Sequence, residues 1–152
     1  MKTIVIGCDN AAVHLKQELV QFLTSRGVTV EDVGWENAQD TTYYPYIAER
    51  VCEEIIKSNY QKEGILVCGT GLGMSITANK FKGIRAGLCH DTFSAERLKK
   101  SNNGNLLCLG ERVIGVELAK KIVEEFLGSE FKDGPSTPKV EAIKEIESHN
   151  LK

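Results

Sequence analysis

The chain has 152 residues, of which 41% are hydrophobic, so it is long enough to bury one core and too apolar for an intrinsically disordered chain. Its 19 basic and 21 acidic residues are interspersed and leave a net charge of −2, which argues against binding to nucleic acid or a membrane surface. No apolar run is long enough to span a bilayer, and the start lacks the features of a signal peptide, so we expect a soluble, cytoplasmic protein.

Short apolar runs alternate with amphipathic segments along the chain. Strands are predicted over residues 3–9, 28–34, 64–68, 83–89 and 105–110. Helices are predicted over residues 12–27, 46–58, 74–81, 92–103, 115–129 and 140–150. This alternation predicts an α/β fold with a five-stranded parallel sheet and helices on both faces.

Two polar segments interrupt the pattern. Residues 35–44 are predicted to form a loop, and residues 130–139, with two of the three prolines, form a turn-rich linker. The helix after the linker has an apolar stripe that needs a covering surface, either from its own domain or from a neighbouring subunit. Without an internal repeat or a low-complexity segment, residues 1–152 are expected to form one domain, in which residues 134–152 are linker and C-terminal helix.

In parallel sheets of this kind, ligands bind outside the carboxyl ends of the strands, near the point where the strand order reverses. The residues at the predicted ends are Cys8 with Asp9, Cys68 with Gly69, Cys89 with His90 and Asp91, and Leu109 with Gly110. Thiol, carboxylate and imidazole side chains are therefore expected at the edge of the sheet where sites form.

The third predicted strand runs into the segment VCGTGLGMS, in which a cysteine precedes three glycines at alternate positions. Gly69, Gly71 and Gly73 permit positive φ and let a ligand approach the backbone, and unpaired N–H groups of the following helix favour an anion. The same N–H groups favour the thiolate form of Cys68, which could then remove a proton from carbon. Thr70 is a candidate hydrogen-bond donor to a substrate oxygen.

Other interpretations of the cysteines remain. The five cysteines include no C-x-x-C pair, and neither they nor the three histidines show a metal-ligand spacing. Four of them fit the description of inert core side chains: Cys8, Cys52, Cys89 and Cys108. A nucleotide site at the glycine turn is a weak alternative, because G-x-G-x-G is not the dinucleotide fingerprint and does not follow the first strand.

Asp9, at the end of the first strand, also has two interpretations. It could cap the helix that follows, together with Asn10, since both side chains suit that position. Opposite Cys68 across the switch point, it is instead a candidate for handling hydroxyl protons.

Six segments carry a resemblance to one known family: GCDNA, YYP, GILVCGTGLGMSITANK, GIRAGLC, SNNGN and GERVIGVELAK. Together they resemble the type B ribose-5-phosphate isomerases and galactose-6-phosphate isomerases, from Lys2 to about Ile146. The resemblance implies a Rossmann-like three-layer sandwich and an aldose–ketose isomerase without a metal or organic cofactor. It also implies a homodimer or tetramer with the active site at the subunit interface.

The resemblance implies roles for individual residues. The family cysteine corresponding to Cys68 is the base that moves a proton between C1 and C2 through an enediolate, assisted by the threonine corresponding to Thr70. The backbone amides of Gly69, Gly71, Leu72 and Gly73 stabilise that enediolate. Family positions that contact the substrate correspond to Cys8, Asp9, Tyr44, Asn102 and Arg112.

The sequence departs from the family pattern at the other side of the site. Asn10 stands where the family has a histidine, and Ser101 stands where a family histidine assists ring opening. Two family arginines that bind the substrate phosphate correspond to Pro135 and Lys139, and the histidine beside the first corresponds to Ser136. Ser136 and Lys139 could still bind a phosphate, although lysine lacks the planar fork of arginine.

These departures leave two explanations open. Serine cannot act as a general acid near pH 7, so the substrate could be an open-chain tetrose or tetrulose phosphate that needs no ring opening. Alternatively, a ribose 5-phosphate or hexose 6-phosphate is used and another group, such as His14 or His90, assists ring opening. A different hypothesis is a subunit that needs a related partner chain, as the two-chain galactose-6-phosphate isomerase does.

Overall fold

The computed structural model describes residues 1–34 and 39–151. Its sheet has five parallel strands in the order β2-β1-β3-β5-β4. The strands are β1 (Ile4–Cys8), β2 (Val30–Asp32), β3 (Glu63–Cys68), β4 (Ala86–Leu88) and β5 (Leu106–Gly110). The predicted five-stranded parallel sheet is therefore confirmed.

Helices cover both faces of this sheet in three layers. They are α1 (Val13–Ser25), α2 (Tyr44–Lys57), α3 (Leu72–Ala78), α4 (Thr92–Lys100), α5 (Val116–Gly128) and α6 (Thr137–Asn150). Helices α1 and α4 both pack on α5, while α2 packs on α3 and on β1 and β3. No helix within the described residues is both long and apolar enough to cross a membrane.

The core lies on the three central strands. Every residue of β1, β3 and β5 is buried, whereas β2 and β4 at the two edges are only partly buried. Runs without polar alternation are what strands covered on both faces require. The hydrophobic effect of this burial is what fixes β1, β3 and β5 side by side.

One buried ion pair lies at the amino edge of the sheet. Lys99 Nζ lies 2.8 Å from Glu63 Oε1, and each side chain is 8% exposed. The same ammonium group lies over the Phe126 ring, 4.3 Å from its centroid. Because each charge is removed from water, each depends on the other for its stability.

Three of the predicted strands and helices are longer than the observed ones, and a residue with a left-handed backbone lies near the end of each. The predicted strand 83–89 is shortened to β4, because Gly83 has φ +81° and cannot extend a strand. The predicted helix 92–103 ends at Lys100, followed closely by Asn103 with φ +51°. β2 is likewise shorter than predicted, and Gly34 beyond it has φ +115°.

Other boundaries move outward. Helix α2 begins at Tyr44 with Pro45 in its first turn, so the predicted loop 35–44 ends earlier; its residues 35–38 lie outside the described part. Helix α3 begins two residues before the predicted start at Met74. Helix α6 begins at Thr137, so the predicted linker 130–139 is shorter than the sequence indicated.

The register of the central strands brings the predicted site residues to one edge. Cys8 of β1 pairs with Val67 of β3, and Cys68 of β3 pairs with Gly110 of β5. β1 connects to β2 on one side and lies beside β3 on the other, so the strand order reverses between β1 and β3. That crevice is where open α/β sheets bind ligands.

Candidate active site

The centre of the candidate site is the sulfur of Cys68, where β3 ends. The side chain is buried but not sealed, with 5% of the residue surface exposed. The backbone N–H of Gly71 donates a hydrogen bond to Cys68 Sγ at 3.0 Å. A directed N–H donor can stabilise negative charge that develops on the sulfur during a reaction.

Two of the three glycines in the turn are required by space. Gly71 has φ +81°, and a Cβ there would lie 2.5 Å from Leu88 Cδ1 and 3.0 Å from the carbonyl carbon of Leu109. A Cβ on Gly73 would overlap the ring of Tyr44. The missing side chain of Gly73 therefore lets Tyr44 lie directly on the first turn of α3.

The helix after the turn is short. Helix α3 has seven residues, and its N-cap Gly71 has no side chain to cap it. The influence that a helix N-terminus was expected to have on the cysteine therefore comes chiefly from one N–H group, that of Gly71. Thr70 is exposed, and its Oγ1 accepts a hydrogen bond from Leu72 N at 3.3 Å, which leaves its hydroxyl hydrogen directed elsewhere.

Asp9 lies beside Cys68 across the switch point. Its backbone N–H donates to Val67 O at 3.3 Å, and its Oδ1 accepts from Ala11 N at 3.0 Å. Burial raises the pKa of the Asp9 carboxyl, and this outweighs the hydrogen bond from Ala11 and the charge of Arg112, which lower it. A carboxyl group of this kind is suited to exchange protons with substrate hydroxyls.

The capping role considered for Asp9 and Asn10 is wrong. The N-cap of α1 is Ala12, which makes no side-chain hydrogen bond, and the carboxylate of Asp9 bonds Ala11 before the helix begins. Instead Glu111 Oε1 accepts a hydrogen bond from Leu15 N at 2.7 Å. A residue 96 positions away therefore caps the first helix, and only the absence of a local cap hinted at it.

Arg112 lies against the turn from the side of β5. Its backbone N–H donates to Gly69 O at 3.0 Å, and Glu111 N donates to Cys68 O at 3.0 Å. A Cβ on Gly69 would lie 3.4 Å from Arg112 Nη1, so the guanidinium covers this glycine. The arrangement places an exposed positive charge next to the cysteine turn, where it can attract an anionic substrate.

A cavity of about 320 Å³ opens beside Asp9, and its lining does not include Cys68 or Arg112. Its lining includes three of the predicted site residues, Asp9, Asn10 and Tyr44. Thr41, Thr42 and Tyr43 also line it. Sequence reasoning missed the two threonines because they lie in a predicted loop without a motif, whereas Tyr43 belongs to the YYP segment, of which only Tyr44 is a predicted contact. The cavity is of the size that small-molecule ligands occupy.

Two predicted contact residues lie at the opposite edge of the sheet. Ser101 is the C-cap of α4, and its Oγ accepts a hydrogen bond from Arg97 Nε at 2.9 Å. Asn102 follows it and lines a different cavity, with Arg85 and Ile146. Because β5 follows them and its five residues span roughly 16 Å, one chain holds them well away from Cys68.

Ser136 and Lys139 lie at the start of the C-terminal helix. Ser136 is the N-cap of α6 and makes no side-chain capping bond, while Lys139 is exposed. The far half of α6 is tied to the amino end of β4, because Glu147 Oε2 accepts a hydrogen bond from Gly83 N at 3.0 Å. No hydrogen bond or ion pair among the described residues joins Ser136 or Lys139 to the cysteine turn.

The remaining candidates divide by exposure. Leu72 in the turn is 53% exposed, whereas Cys8 is fully buried. Burial raises the pKa of Cys52 to about 12 and that of Cys89 to about 11. These thiols, like fully buried Cys108, are core side chains, as the sequence indicated.

No group of three or more potential metal ligands was found within the described residues. His14 is exposed on α1. His90 is partly buried after β4, and its Nε2 accepts a hydrogen bond from Gly110 N at 2.9 Å.

Comparison with known proteins assigns the chain and its fold to one family. The profile of the family described as Ribose/Galactose Isomerase matches residues 4–143. A D-erythrulose-4-phosphate isomerase of Pectobacterium atrosepticum is 48% identical, over 94% of this chain and 93% of that protein. Ribose-5-phosphate isomerase B of Escherichia coli is 45% identical over 97% of both chains. The solved structure of ribose-5-phosphate isomerase B from Clostridium thermocellum superposes with a TM-score of 0.91 at 40% sequence identity. The match covers 97% of this chain and 98% of that chain.

Proposed function

Because this chain belongs to the ribose/galactose isomerase family and is a sugar-phosphate aldose–ketose isomerase, we propose that its substrate pair is D-erythrulose 4-phosphate and D-erythrose 4-phosphate. The observation that carries the choice of sugar is at Ser101. Its hydroxyl accepts a hydrogen bond from Arg97 and has no acidic proton to give near neutral pH. The chain thus has no general acid at the position where the family opens a sugar ring.

A four-carbon sugar phosphate needs no such acid. A five-membered sugar ring closes through the C4 oxygen of an aldose, and in a 4-phosphate that oxygen is esterified. The sugar is therefore always open-chain, with its carbonyl exposed to proton transfer. The similarity to an enzyme named for D-erythrulose 4-phosphate supports the same choice.

We assign proton transfer at carbon to Cys68. The thiolate removes a proton from C1 of the ketose, and the electrons of that C–H bond form the C1–C2 double bond of an enediolate. The thiol then returns its proton to C2, while the hydroxyl proton on O1 is lost and O2 gains one. The aldose results with no net change in protons, so the thiolate is regenerated.

The surrounding groups serve the charged intermediate. Backbone N–H groups of the turn Gly69–Gly73 and the hydroxyl of Thr70 are proposed to hold the enediolate oxygens, which need fixed donors as charge develops. Asp9, with its raised pKa, is proposed to carry the hydroxyl protons between O1 and O2. Arg112, Asn10 and Tyr44 are proposed to position the substrate beside the sulfur.

The working enzyme is proposed to be a homodimer or tetramer with its site at the interface. The support is that, among the described residues, no hydrogen bond or ion pair joins Ser101, Asn102, Ser136 or Lys139 to the cysteine turn of the same chain. A second chain could bring such residues to it. Exposed apolar side chains fit a covered surface: Leu72 is 53% exposed, Phe93 69% and Ile146 63%.

A pentose phosphate is the second candidate. Relatives named for ribose 5-phosphate are nearly as similar, and the raised pKa of Asp9 could let it open a furanose ring in place of the missing histidine. The two candidates differ in the relative rates on four- and five-carbon substrates.

The test is a panel of ketose phosphates with four, five and six carbons, incubated with the purified chain and followed by NMR in D2O. We expect kcat/KM for D-erythrulose 4-phosphate to exceed that for D-ribulose 5-phosphate by at least about 100-fold, with deuterium entering at the carbon next to the carbonyl. Faster turnover of the pentose would overturn the four-carbon assignment. Activity only after adding a related chain would support the partner-dependent alternative instead.

A further inference from the structure

The imidazole of His90 lies at the carboxyl edge of the sheet, beside the end of β5 and beyond the last residue of β4. β4 pairs with β5 as far as Leu88 and Cys108, and the last ladder bond is from Cys89 N to Cys108 O at 3.2 Å. The next N–H of β5 on that side belongs to Gly110. Its acceptor is His90 Nε2, at 2.9 Å.

The bond has a geometric reason. Along a strand successive N–H groups point to opposite neighbours, so Glu111 N turns to β3 and donates to Cys68 O, whereas Gly110 N turns to the side of β4. Gly110 is buried, and a buried N–H must find an acceptor. The side chain of His90 takes the place of the missing strand.

Gly110 is in turn packed against the cysteine turn. It is the register partner of Cys68, and a Cβ on Gly110 would lie 2.6 Å from the carbonyl carbon of Thr70. The two residues after Gly110 bond the carbonyls of Cys68 and Gly69. A shift of Gly110 must therefore move the backbone that carries the sulfur and the proposed enediolate donors.

We infer that His90 is a positioning residue for the isomerase reaction: as a neutral hydrogen-bond acceptor, its Nε2 holds Gly110, and through Gly110 the turn from Cys68 to Gly71. The inference rests on the proposed role of that turn. An accepting Nε2 carries no hydrogen, so the proton of the neutral ring is on Nδ1. Protonation of the ring would place an N–H against the N–H of Gly110 and break the bond.

The electrostatic surroundings favour the neutral ring. Burial of the imidazole lowers the pKa of His90, against the opposing effect of the Asp91 carboxylate. That carboxylate is itself occupied, since it accepts hydrogen bonds from Ser94 N and Ser94 Oγ. The titratable side chains on the neighbouring segments are those of Cys68, Cys89, Cys108, Glu111 and Arg112.

The sign of the pH effect follows. At pH values above the lowered pKa, the ring is neutral and the turn is held. As the pH falls through that pKa, below the usual 6.5, the acceptor is lost and turnover falls with it. A glutamine at this position can present its Oε1 to Gly110 but does not titrate in this range.

The experiment compares wild type with His90→Gln and His90→Leu, and uses His149→Gln, at an exposed site on α6, as the control. On the sugar phosphate that the enzyme turns over, we expect His90→Leu to lower kcat by roughly tenfold or more at pH 8, with a smaller effect on KM. His90→Gln should restore kcat to within about threefold of wild type and remove the contribution of the His90 ring to the acidic fall in kcat, while the control keeps the wild-type profile. A wild-type kcat in His90→Leu at pH 8 would overturn the inference, as would a kcat of His90→Gln no higher than that of His90→Leu.

A second readout needs no substrate. In amide NMR spectra of the free enzyme, the Gly110 resonance should titrate with the His90 ring in wild type and not in His90→Gln. A Gly110 resonance that ignores the titration of His90 would overturn the inference. If no sugar phosphate is turned over while Gly110 follows His90, the proposed function fails and the positioning contact stands.

Discussion

The N–H of Gly71 points at the sulfur of Cys68, 3.0 Å away, and it can do so because Gly71 adopts a left-handed conformation with φ +81°. The bond closes the turn after β3 around the sulfur. Catalytic thiols elsewhere rely on a neighbouring imidazole or a long helix for the same effect. In the mechanism proposed above, the N–H of Gly71 would serve this purpose for Cys68.

Replacing Cys68 tests this arrangement directly. We expect Cys68→Ala to lower kcat by about 10³-fold or more, since no other group of the turn can take the C1 proton. Cys52→Ala, in the core of α2, is the control and should keep kcat near wild type. Steady-state kinetics on the best ketose phosphate, with circular dichroism to confirm folding, decides the matter. Retained turnover in Cys68→Ala would remove the proposed base.

Comparing Gly71→Ala with Gly27→Ala separates the effect of steric overlap from that of backbone strain. Gly71→Ala meets Leu88 and the backbone of Leu109, while Gly27→Ala has nearly the same φ, +77°, and nothing within 4 Å. We expect Gly27→Ala to cost about 1 kcal/mol of unfolding free energy and Gly71→Ala about 2–4 kcal/mol, with loss of activity. Urea unfolding of both variants measures the difference. Equal losses of unfolding free energy in the two variants would show that Leu88 and Leu109 shift to make room for the added methyl group.

Asp9 gives a prediction in which stability and activity move in opposite directions. Burial raises the pKa of its carboxyl in the fold, so the native state binds its proton more tightly than the unfolded chain, and stability falls as pH rises above the ordinary value of 3.8. Asp9→Asn keeps an acceptor for Ala11 N without that penalty. We expect it to be more stable than wild type at pH 7 but not at pH 3, and to lose about 10²-fold in kcat. Thermal unfolding at both pH values and kinetics test this; a lower stability at pH 7 would contradict it.

The ion pair between Lys99 and Glu63 should matter for stability alone. Lys99→Met leaves the buried carboxylate of Glu63 without its closest partner, and we expect a loss of about 3–5 kcal/mol. The double variant Lys99→Met with Glu63→Gln should recover part of it, because no charge is then left buried. Urea unfolding gives the coupling, and kcat of the folded fraction should stay unchanged. An additive double variant would mean that the two charges are independent.

The exposed face of α6 tests the proposed assembly. Removing the chain from Pro138 onward should weaken the dimer, but it also removes Val140, which is 2% exposed and packs within the chain. Ile146→Glu is sharper, because Ile146 is 63% exposed and its change should spare the fold of one chain. We expect a lower molecular mass by light scattering and a parallel loss of activity, with Glu145→Gln as control. An unchanged mass would contradict packing of this face on a partner.

The pattern of apolar residues was enough to predict the sheet, because β1, β3 and β5 are continuous apolar runs. Such runs are typical of strands in a sheet that is covered by helices on both faces. The pattern failed at the ends of β4 and α4, where the backbone of Gly83 and Asn103 is left-handed. Cys68 and Gly71 could be predicted as neighbours because they lie in one motif. The contacts of Glu111 with Leu15 and of His90 with Gly110 join distant segments, and no local pattern records them.

The bond from Leu15 N to Glu111 also bears on how the chain folds during synthesis. Until the ribosome has delivered residue 111, the first helix lacks its cap, although its own sequence is complete some 85 residues earlier. A nascent chain stopped before that point should hold α1 loosely and expose it to proteases, because a missing cap costs about 1 kcal/mol. Helix α1 therefore gains its cap only after the last strand of the sheet has been synthesised.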